Sequence, residues 1–196
     1  MKKIIKNVEK KQENIKAKGH SYTKTEVIKI ATCTDVGEAI YSCSVCGLTK
    51  TVETPKDDSN HNYANKVYDW STSTYNSDGT ISATAVDHCT RCEKEYRGEE
   101  NVSADTFKSV CKKYSWSELR GLKGTPVSVN VKVTQELDGN ALASISGSYG
   151  DMILIRNCSA YENSTITVYG LADGEFSYTT VLGAGKTVPA IKALLY

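Results

Sequence analysis

VSVNVKV, residues 127–133, alternates valine with polar residues without a break. Successive side chains of a strand point to opposite faces, so the four valines share one face and predict a half-buried strand. Similar runs follow at short intervals: ALASISG, DMILIRN, STITVYG, EFSYTTVL and AIKALLY. Asp138-Gly139, Gly150-Asp151 and Asp173-Gly174 are typical turn signals between them. Six short strands of this kind predict an all-β, sandwich-like C-terminal domain over residues 101–196.

The start of this predicted domain has a residue pattern that differs from that of its strands. ADTFKSVCKKY follows Ser103 and fits one short helix, with the serine as its N-cap and a strand as the alternative. The chain as a whole is therefore expected to be mainly β, with small β-hairpin modules preceding the larger domain.

Charge and hydrophobicity limit the classes of function. The 196 residues carry a net charge of +1, so no overall field attracts the chain to nucleic acid. No run approaches the roughly 18 apolar residues of a membrane span, and none is expected. Residues 1–18 hold seven Lys and two Glu and predict a basic N-terminal arm, either solvated or docked on an acidic partner. The arm lacks the apolar core of a secretory signal, which favours synthesis and retention in the cytosol.

Residues 19–100 contain a weak internal repeat. His20-Ser-Tyr22 recurs as His61-Asn-Tyr63, and Cys43-x-x-Cys46 recurs as Cys89-x-x-Cys92. Each copy has short runs rich in Thr, Val and Tyr that predict hairpins, and each has few apolar residues. We therefore predict one module over residues 19–60 and a divergent second copy over residues 61–100. Modules this small need stabilisation beyond hydrophobic burial.

Cysteine and histidine cluster in these two modules. All three His and five of the seven Cys precede residue 93, which is typical of tetrahedral zinc sites. In CSVCG, residues 43–47, the two-residue gap lets both sulfurs face one ion, and the glycine permits a left-handed turn. The predicted ligands of a first structural zinc are Cys33, Cys43 and Cys46, with His20 or alternatively His61 as the fourth.

Two other readings of CSVCG remain. A disulfide needs an oxidising compartment, for which the sequence shows no export signal. Unligated thiols are the second alternative. A redox dithiol is disfavoured because such a motif belongs at a helix N-terminus after a buried parallel strand, whereas CSVCG lies in β-type sequence. Cys111 and Cys158 lie outside the cluster and are predicted to be ordinary buried residues.

A second, weaker zinc site is predicted in the second copy. Its candidate ligands are His61, His88, Cys89 and Cys92. The second copy lacks the glycine after its last cysteine and has no equivalent of Cys33. Adjacent residues of a strand point to opposite faces, so His88 and Cys89 need a loop to share one ion. The alternative is a degenerate copy without metal, held by the packing of Tyr68, Trp70 and Tyr75.

Patterns of catalysis are missing from the sequence. It contains no HExxH, GxSxG or phosphate-loop motif, and the ligands predicted for the first zinc leave no open position for water. We therefore expect a protein that is not an enzyme. A zinc module with a basic arm is compatible with nucleic-acid binding, but TVETPKDDSNH, residues 51–61, is net acidic and makes nucleic acid an unlikely partner.

GHSYTKTEVIKIATCTDVGEAIYSCSVCGLTKTVETPKDDSNHNY, residues 19–63, resembles a Cys/His-rich repeat of gut bacteria and their phages. The shared elements are GH-x-Y, ATC, CSVCG, a Thr-rich strand and the next H-x-Y. Residues 64–100 are similar to a divergent companion of the repeat. The resemblance implies non-catalytic modules of surface proteins. Without a signal peptide, it implies a bacteriophage virion component: a head decoration, collar, fibre-attachment or tail-adhesion protein.

The expected location is accordingly the virion, assembled in the host cytoplasm. Other virion or surface proteins are the expected partners, in a homo- or hetero-oligomer. A secreted bacterial surface adhesin at the cell surface is the alternative, and a zinc-ribbon nucleic-acid-binding protein is the further one.

Overall fold

The computed structural model describes residues 19–145, 147 and 150–196. The basic arm predicted over residues 1–18 lies outside the described residues. The chain divides into two compact units, the first ending at His61 and the second beginning at Asn62. Within the described residues, no helix has the length and apolar character needed to cross a membrane.

The first unit contains one small antiparallel sheet with almost no core. Its strands follow chain order and are β1 (Tyr22–Lys29), β2 (Gly37–Cys43) and β3 (Thr49–Thr54). Among residues 19–61, Ala39 and Cys43 are the only buried apolar side chains. Larger apolar side chains such as Ile28 and Ile30 are 52% and 70% exposed. Hydrophobic burial alone therefore contributes little to holding this sheet.

The second unit begins with another three-stranded antiparallel sheet and two short helices. Its strands, again in chain order, are β4 (Tyr63–Tyr75), β5 (Thr80–Cys89) and β6 (Glu95–Ser103). The helices are α1 (Ala104–Val110) and α2 (Trp116–Leu119). Ser103 caps α1 by accepting a hydrogen bond from the Thr106 N–H, which confirms the predicted helix and its cap.

The remaining strands of the second unit close into a five-stranded barrel. They are β7 (Lys123–Glu136), β8 (Asn140–Ser144), β9 (Met152–Arg156), β10 (Thr165–Thr179) and β11 (Gly185–Leu195). The order around the barrel is β10-β11-β9-β8-β7, and β10 also pairs with β7. All pairs are antiparallel except β9 with β11. The valines of VSVNVKV face the core, each at most 4% exposed. The predicted mainly β fold, with small hairpin sheets preceding a larger all-β domain, is confirmed.

One turn prediction in the barrel is wrong. Asp173-Gly174 does not separate two strands, because STITVYG and EFSYTTVL belong to the single strand β10. The pairing with β11 shifts register between Ala172 and Glu175, and Gly174 adopts a φ of 73° there. The dipeptide therefore forms a β-bulge rather than a chain reversal. Asp138-Gly139, by contrast, has both residues at positive φ and closes the β7–β8 hairpin as predicted.

Candidate metal centres

The CSVCG knuckle lies in the tight connection between β2 and β3. The Cys43 N–H donates to the Leu48 carbonyl at 2.8 Å, and the Gly47 N–H donates to the Cys43 carbonyl at 2.8 Å. Gly47 has a φ of 74°, the left-handed conformation that its lack of a side chain permits. The connection therefore reverses the chain within the Cys43-x-x-Cys46 motif, as the sequence pattern predicts.

His20 reaches this knuckle from the start of β1. Tyr22 is the register partner of Cys43 across the β1–β2 ladder, and the Ser44 N–H donates to the Ser21 carbonyl at 3.0 Å. These contacts place the residue before Ser21 beside the knuckle. The His20 Nδ1 lies 3.3 Å from the Cys46 Sγ. The H-x-Y element is thus the segment that presents a histidine to the cysteine pair.

His20, Cys43 and Cys46 form the first candidate metal group. Their ligand atoms all lie within 4.8 Å of one another. Ligands about 2.0–2.3 Å from a tetrahedral zinc are themselves separated by roughly 3.5–4 Å, so modest side-chain adjustment brings the three onto one ion. Cys43 is buried, whereas His20 and Cys46 are exposed. The group supplies three of the four ligands that a closed zinc site requires.

The Cys43 thiol is electrostatically prepared to become a thiolate. Burial raises its pKa, but hydrogen bonds from the Val45 and Cys46 backbone and from the His20 side chain outweigh burial and lower the pKa to about 6. Because the thiolate is the form that binds metal, these donors favour the ligating state near neutral pH.

Two backbone hydrogen bonds around the CxxC motif of the second copy match those around CSVCG in the first. The Cys89 N–H donates to the Lys94 carbonyl at 2.9 Å, as Cys43 does to Leu48. The Thr90 N–H donates to the Asn62 carbonyl at 2.9 Å, and Tyr63 is the register partner of Cys89. Each bond matches one around CSVCG at the same relative position. The repeat inferred from the sequence is therefore also a repeat of backbone structure.

Two further pairs of candidate ligands lie outside this first group. In the first unit the ligand atoms of Cys33 and His61 lie within 4.8 Å of one another, and in the second unit those of Cys89 and Cys92 do. Cys33 lies in the loop between β1 and β2, where its N–H donates to the Asn60 carbonyl at 3.2 Å. The Asn60 side chain in turn donates to the Ala31 carbonyl at 2.6 Å, so this loop is hydrogen-bonded to the residue that precedes His61. Thiols and imidazoles are the side chains that bind zinc in structural sites.

The structure distributes the predicted ligands differently from the first predicted site. That site combined Cys33 with Cys43, Cys46 and His20, but Cys33 is not part of the group that the other three form. The β1–β2 loop and the CSVCG knuckle stand at opposite ends of β2, and a seven-residue strand spans about 23 Å. His61, the alternative fourth ligand, also lies outside the His20 group, and its ligand atom is close to that of Cys33.

The second predicted site combined His61, His88, Cys89 and Cys92. Within the second unit Cys89 and Cys92 have ligand atoms close together, but His88 is not with them. The His88 side chain is half exposed, and its Nδ1 lies 3.4 Å from a carboxylate oxygen of Glu95. His88 precedes Cys89 in β5, and strand alternation turns it to the opposite face. The recurrence of CxxC was the sequence signal for Cys89 and Cys92, and the alternation of side chains along a strand was already the argument against His88.

Cys111 and Cys158 lie outside these Cys/His clusters, and no disulfide joins any of the seven cysteines. Cys158 is fully buried with the barrel valines. Burial raises the pKa of the Cys111 thiol to about 12, so this thiol stays protonated. Neither has the surroundings of a metal ligand or of a reactive cysteine.

Comparison of the chain with protein-family models, with curated proteins and with solved structures finds no match.

Proposed function

We propose that this chain is a non-enzymatic structural protein whose small β modules are held by structural zinc. The observation that carries the proposal is the contrast in residues 19–61 between two buried apolar side chains and a cluster of metal-ligand side chains. A sheet that lacks a core needs another source of stability, and metal binding to zinc-finger peptides supplies about 10–16 kcal/mol.

Zinc is the proposed ion because of the ligand chemistry. Thiolate and imidazole ligands suit zinc, whereas calcium and magnesium prefer oxygen ligands. Two ligands of the His20, Cys43 and Cys46 group come from one CxxC knuckle, a spacing that is typical of structural zinc sites. This ligand pattern favours a structural role over catalysis.

Hydrogen exchange of the full-length protein tests the structural role of the metal. We expect amides of β1 to β3 to be protected in zinc-loaded protein and to exchange rapidly after chelation, because this sheet buries too few apolar side chains to stay folded without metal. The barrel strand β7, whose valines are buried, serves as the internal reference and should keep its protection. Unchanged protection of β1 to β3 after complete removal of metal would contradict the proposal.

Matched cysteine variants separate metal binding from general effects of substitution. Cys46→Ser removes a ligand of the group formed by His20, Cys43 and Cys46, whereas Cys111→Ser changes a thiol outside the Cys/His clusters. The Cys111 thiol donates to the Phe107 carbonyl at 3.3 Å, and serine retains a donor at that position. We expect exchange in β2 and β3 to rise in Cys46→Ser and to remain at the wild-type level in Cys111→Ser.

The proposed setting is a bacteriophage virion, in which the chain would serve as a decoration, collar, fibre-attachment or tail-adhesion protein. Two observations support it: the resemblance of residues 19–63 to repeats of gut bacteria and their phages, and the arrangement of metal-ligand modules before an all-β barrel. Partners would be other virion proteins, in a homo- or hetero-oligomer.

Mass spectrometry of density-purified particles from infected cultures tests this setting. The proposal predicts peptides of this chain in the particle fraction at a fixed ratio to the major capsid protein. Peptides found only in the bacterial surface fraction would contradict it and would favour the secreted adhesin.

A further inference from the structure

A cavity of about 580 Å³ lies against the barrel on the face opposite its core. Leu142 lines the cavity, while its neighbours Ala141 and Ala143 belong to the interior cluster of buried residues. Since side chains alternate along a strand, Leu142 points away from the barrel interior. The volume falls within the range of about 300–1,000 Å³ that is usual for small-molecule sites.

One wall of the cavity is an aromatic surface. Phe176 and Tyr178 stand two residues apart on β10 and both line the cavity. The two rings are stacked, with planes that differ by 13° and centroids 6.1 Å apart, and the Arg156 guanidinium lies 5.6 Å from the centroid of the Phe176 ring. Both rings pack against a cluster that includes the buried Met152. This packing holds the two rings in place as an aromatic wall.

Polar groups accompany the aromatic surface. Thr134, Thr179 and Thr180 bring hydroxyl-bearing side chains to the cavity, and Gln135 brings an amide. The Thr180 hydroxyl oxygen accepts a hydrogen bond from the Ala184 N–H at 3.2 Å, which leaves its O–H available to donate. Among the described residues that line the cavity there is no Asp or Glu, and Lys186 is the one basic residue.

We propose that this cavity binds a carbohydrate, as a mono- or disaccharide unit of a glycan. A pyranose has a face of C–H groups, which packs on flat aromatic surfaces, and a rim of hydroxyls, which needs both donors and acceptors. Phe176 and Tyr178 supply the first, and the threonine hydroxyls with the Gln135 amide supply the second. A purely apolar ligand would make no use of the Gln135 amide or of the Thr180 O–H.

The inference goes beyond the proposed structural role and uses only residues of the second unit. Carbohydrate binding does not depend on metal at the Cys/His residues, so the carbohydrate proposal and the structural-zinc proposal can fail separately. Lys186 makes a further distinction within the ligand class: an amine at the cavity favours a sugar that carries a carboxylate over its neutral counterpart.

Saturation-transfer NMR and calorimetry on the full-length protein test the proposal with named sugars: N-acetylglucosamine, galactose, maltose and glucuronic acid. We expect at least one to bind at millimolar concentration with its ring protons in contact with aromatic side chains. Tyr178→Ala should weaken that affinity at least tenfold, because it removes half of the aromatic surface. Tyr161→Ala is the matched control, since Tyr161 is 87% exposed and does not line the cavity.

A second variant keeps the test valid even if Tyr178→Ala fails to fold. Thr179→Ala changes an exposed residue at the cavity and should weaken the same sugar severalfold without altering the circular dichroism spectrum. The proposal is overturned if none of the four sugars binds at millimolar concentration. It is equally overturned if the bound sugar is indifferent to both variants, since binding would then lie elsewhere.

Discussion

Phe107 is the single buried side chain of α1 and anchors this helix to the rest of the second unit. The seven-residue helix is too short to be stable in isolation, so its position depends on this anchor. The Phe107 ring is fully buried and lies edge-on to Trp70, with ring centroids 5.2 Å apart. The same cluster contains Ile81 of β5 and Leu171 of β10, so the ring joins the three-stranded sheet to the barrel.

Phe107→Ala is therefore expected to destabilise this unit by about 3–5 kcal/mol, the usual cost of deleting a buried aromatic side chain. Typical domains have about 5–15 kcal/mol in total, so the loss is a large fraction of stability. Both tryptophans, Trp70 and Trp116, lie in this unit. Urea unfolding followed by tryptophan fluorescence thus measures the change directly, as a lower midpoint with an unchanged slope.

Val110→Ala is the matched control on the same helix, because Val110 is 39% exposed. We expect this variant to unfold within about 0.5 kcal/mol of wild type. The reasoning would be refuted if Phe107→Ala differed from Val110→Ala by less than about 1 kcal/mol, since the ring would then not be the anchor of the cluster.

Two further predictions concern the barrel and α2. Gly170→Ala should lower the melting temperature, because the added Cβ would lie 2.2 Å from the Lys192 carbonyl oxygen. Gly185→Ala is the control and should leave the melting temperature unchanged, because its Cβ would meet no atom within 4 Å. Equal melting temperatures of the two variants would contradict this packing. Hydrogen bonds from the Ser115 hydroxyl and N–H hold the pKa of the Glu118 carboxyl below its usual range. The ionised Glu118 therefore stabilises the folded protein at pH values above the pKa of Glu118 in the unfolded chain, and this stabilisation is lost as the pH falls through the pKa in the folded chain. Glu118→Gln should therefore flatten the fall in melting temperature between about pH 5 and 3, and an unchanged acid profile would count against the capping bond.

The sequence predicted those features that depend on local patterns. The alternation of VSVNVKV was sufficient to predict β7, because strand geometry alone assigns its valines to one face. CSVCG predicted a knuckle because a CxxC pair followed by glycine needs only a local turn. The helix after Ser103 followed from its capping residue.

Features that depend on long-range pairing were not predictable in the same way. Barrel closure requires β10 to pair with both β7 and β11, and nothing local in STITVYG encodes two partners. Asp173-Gly174 is compatible with either a turn or a bulge, and the pairing of β10 on both sides of it selects the bulge. Cys33 was predicted to share an ion with Cys43, but its position follows from the length of β2 and from the hydrogen bond to Asn60.

Native mass spectrometry of the full-length protein, prepared without chelator and supplied with zinc, tests the central claim most directly. The His20, Cys43 and Cys46 group predicts a bound zinc ion, and Cys46→Ser should lower the number of zinc ions per chain by one while Cys111→Ser leaves it unchanged. The result that would contradict the account is a folded wild-type chain that contains no metal and in which the same cysteines are paired in disulfides.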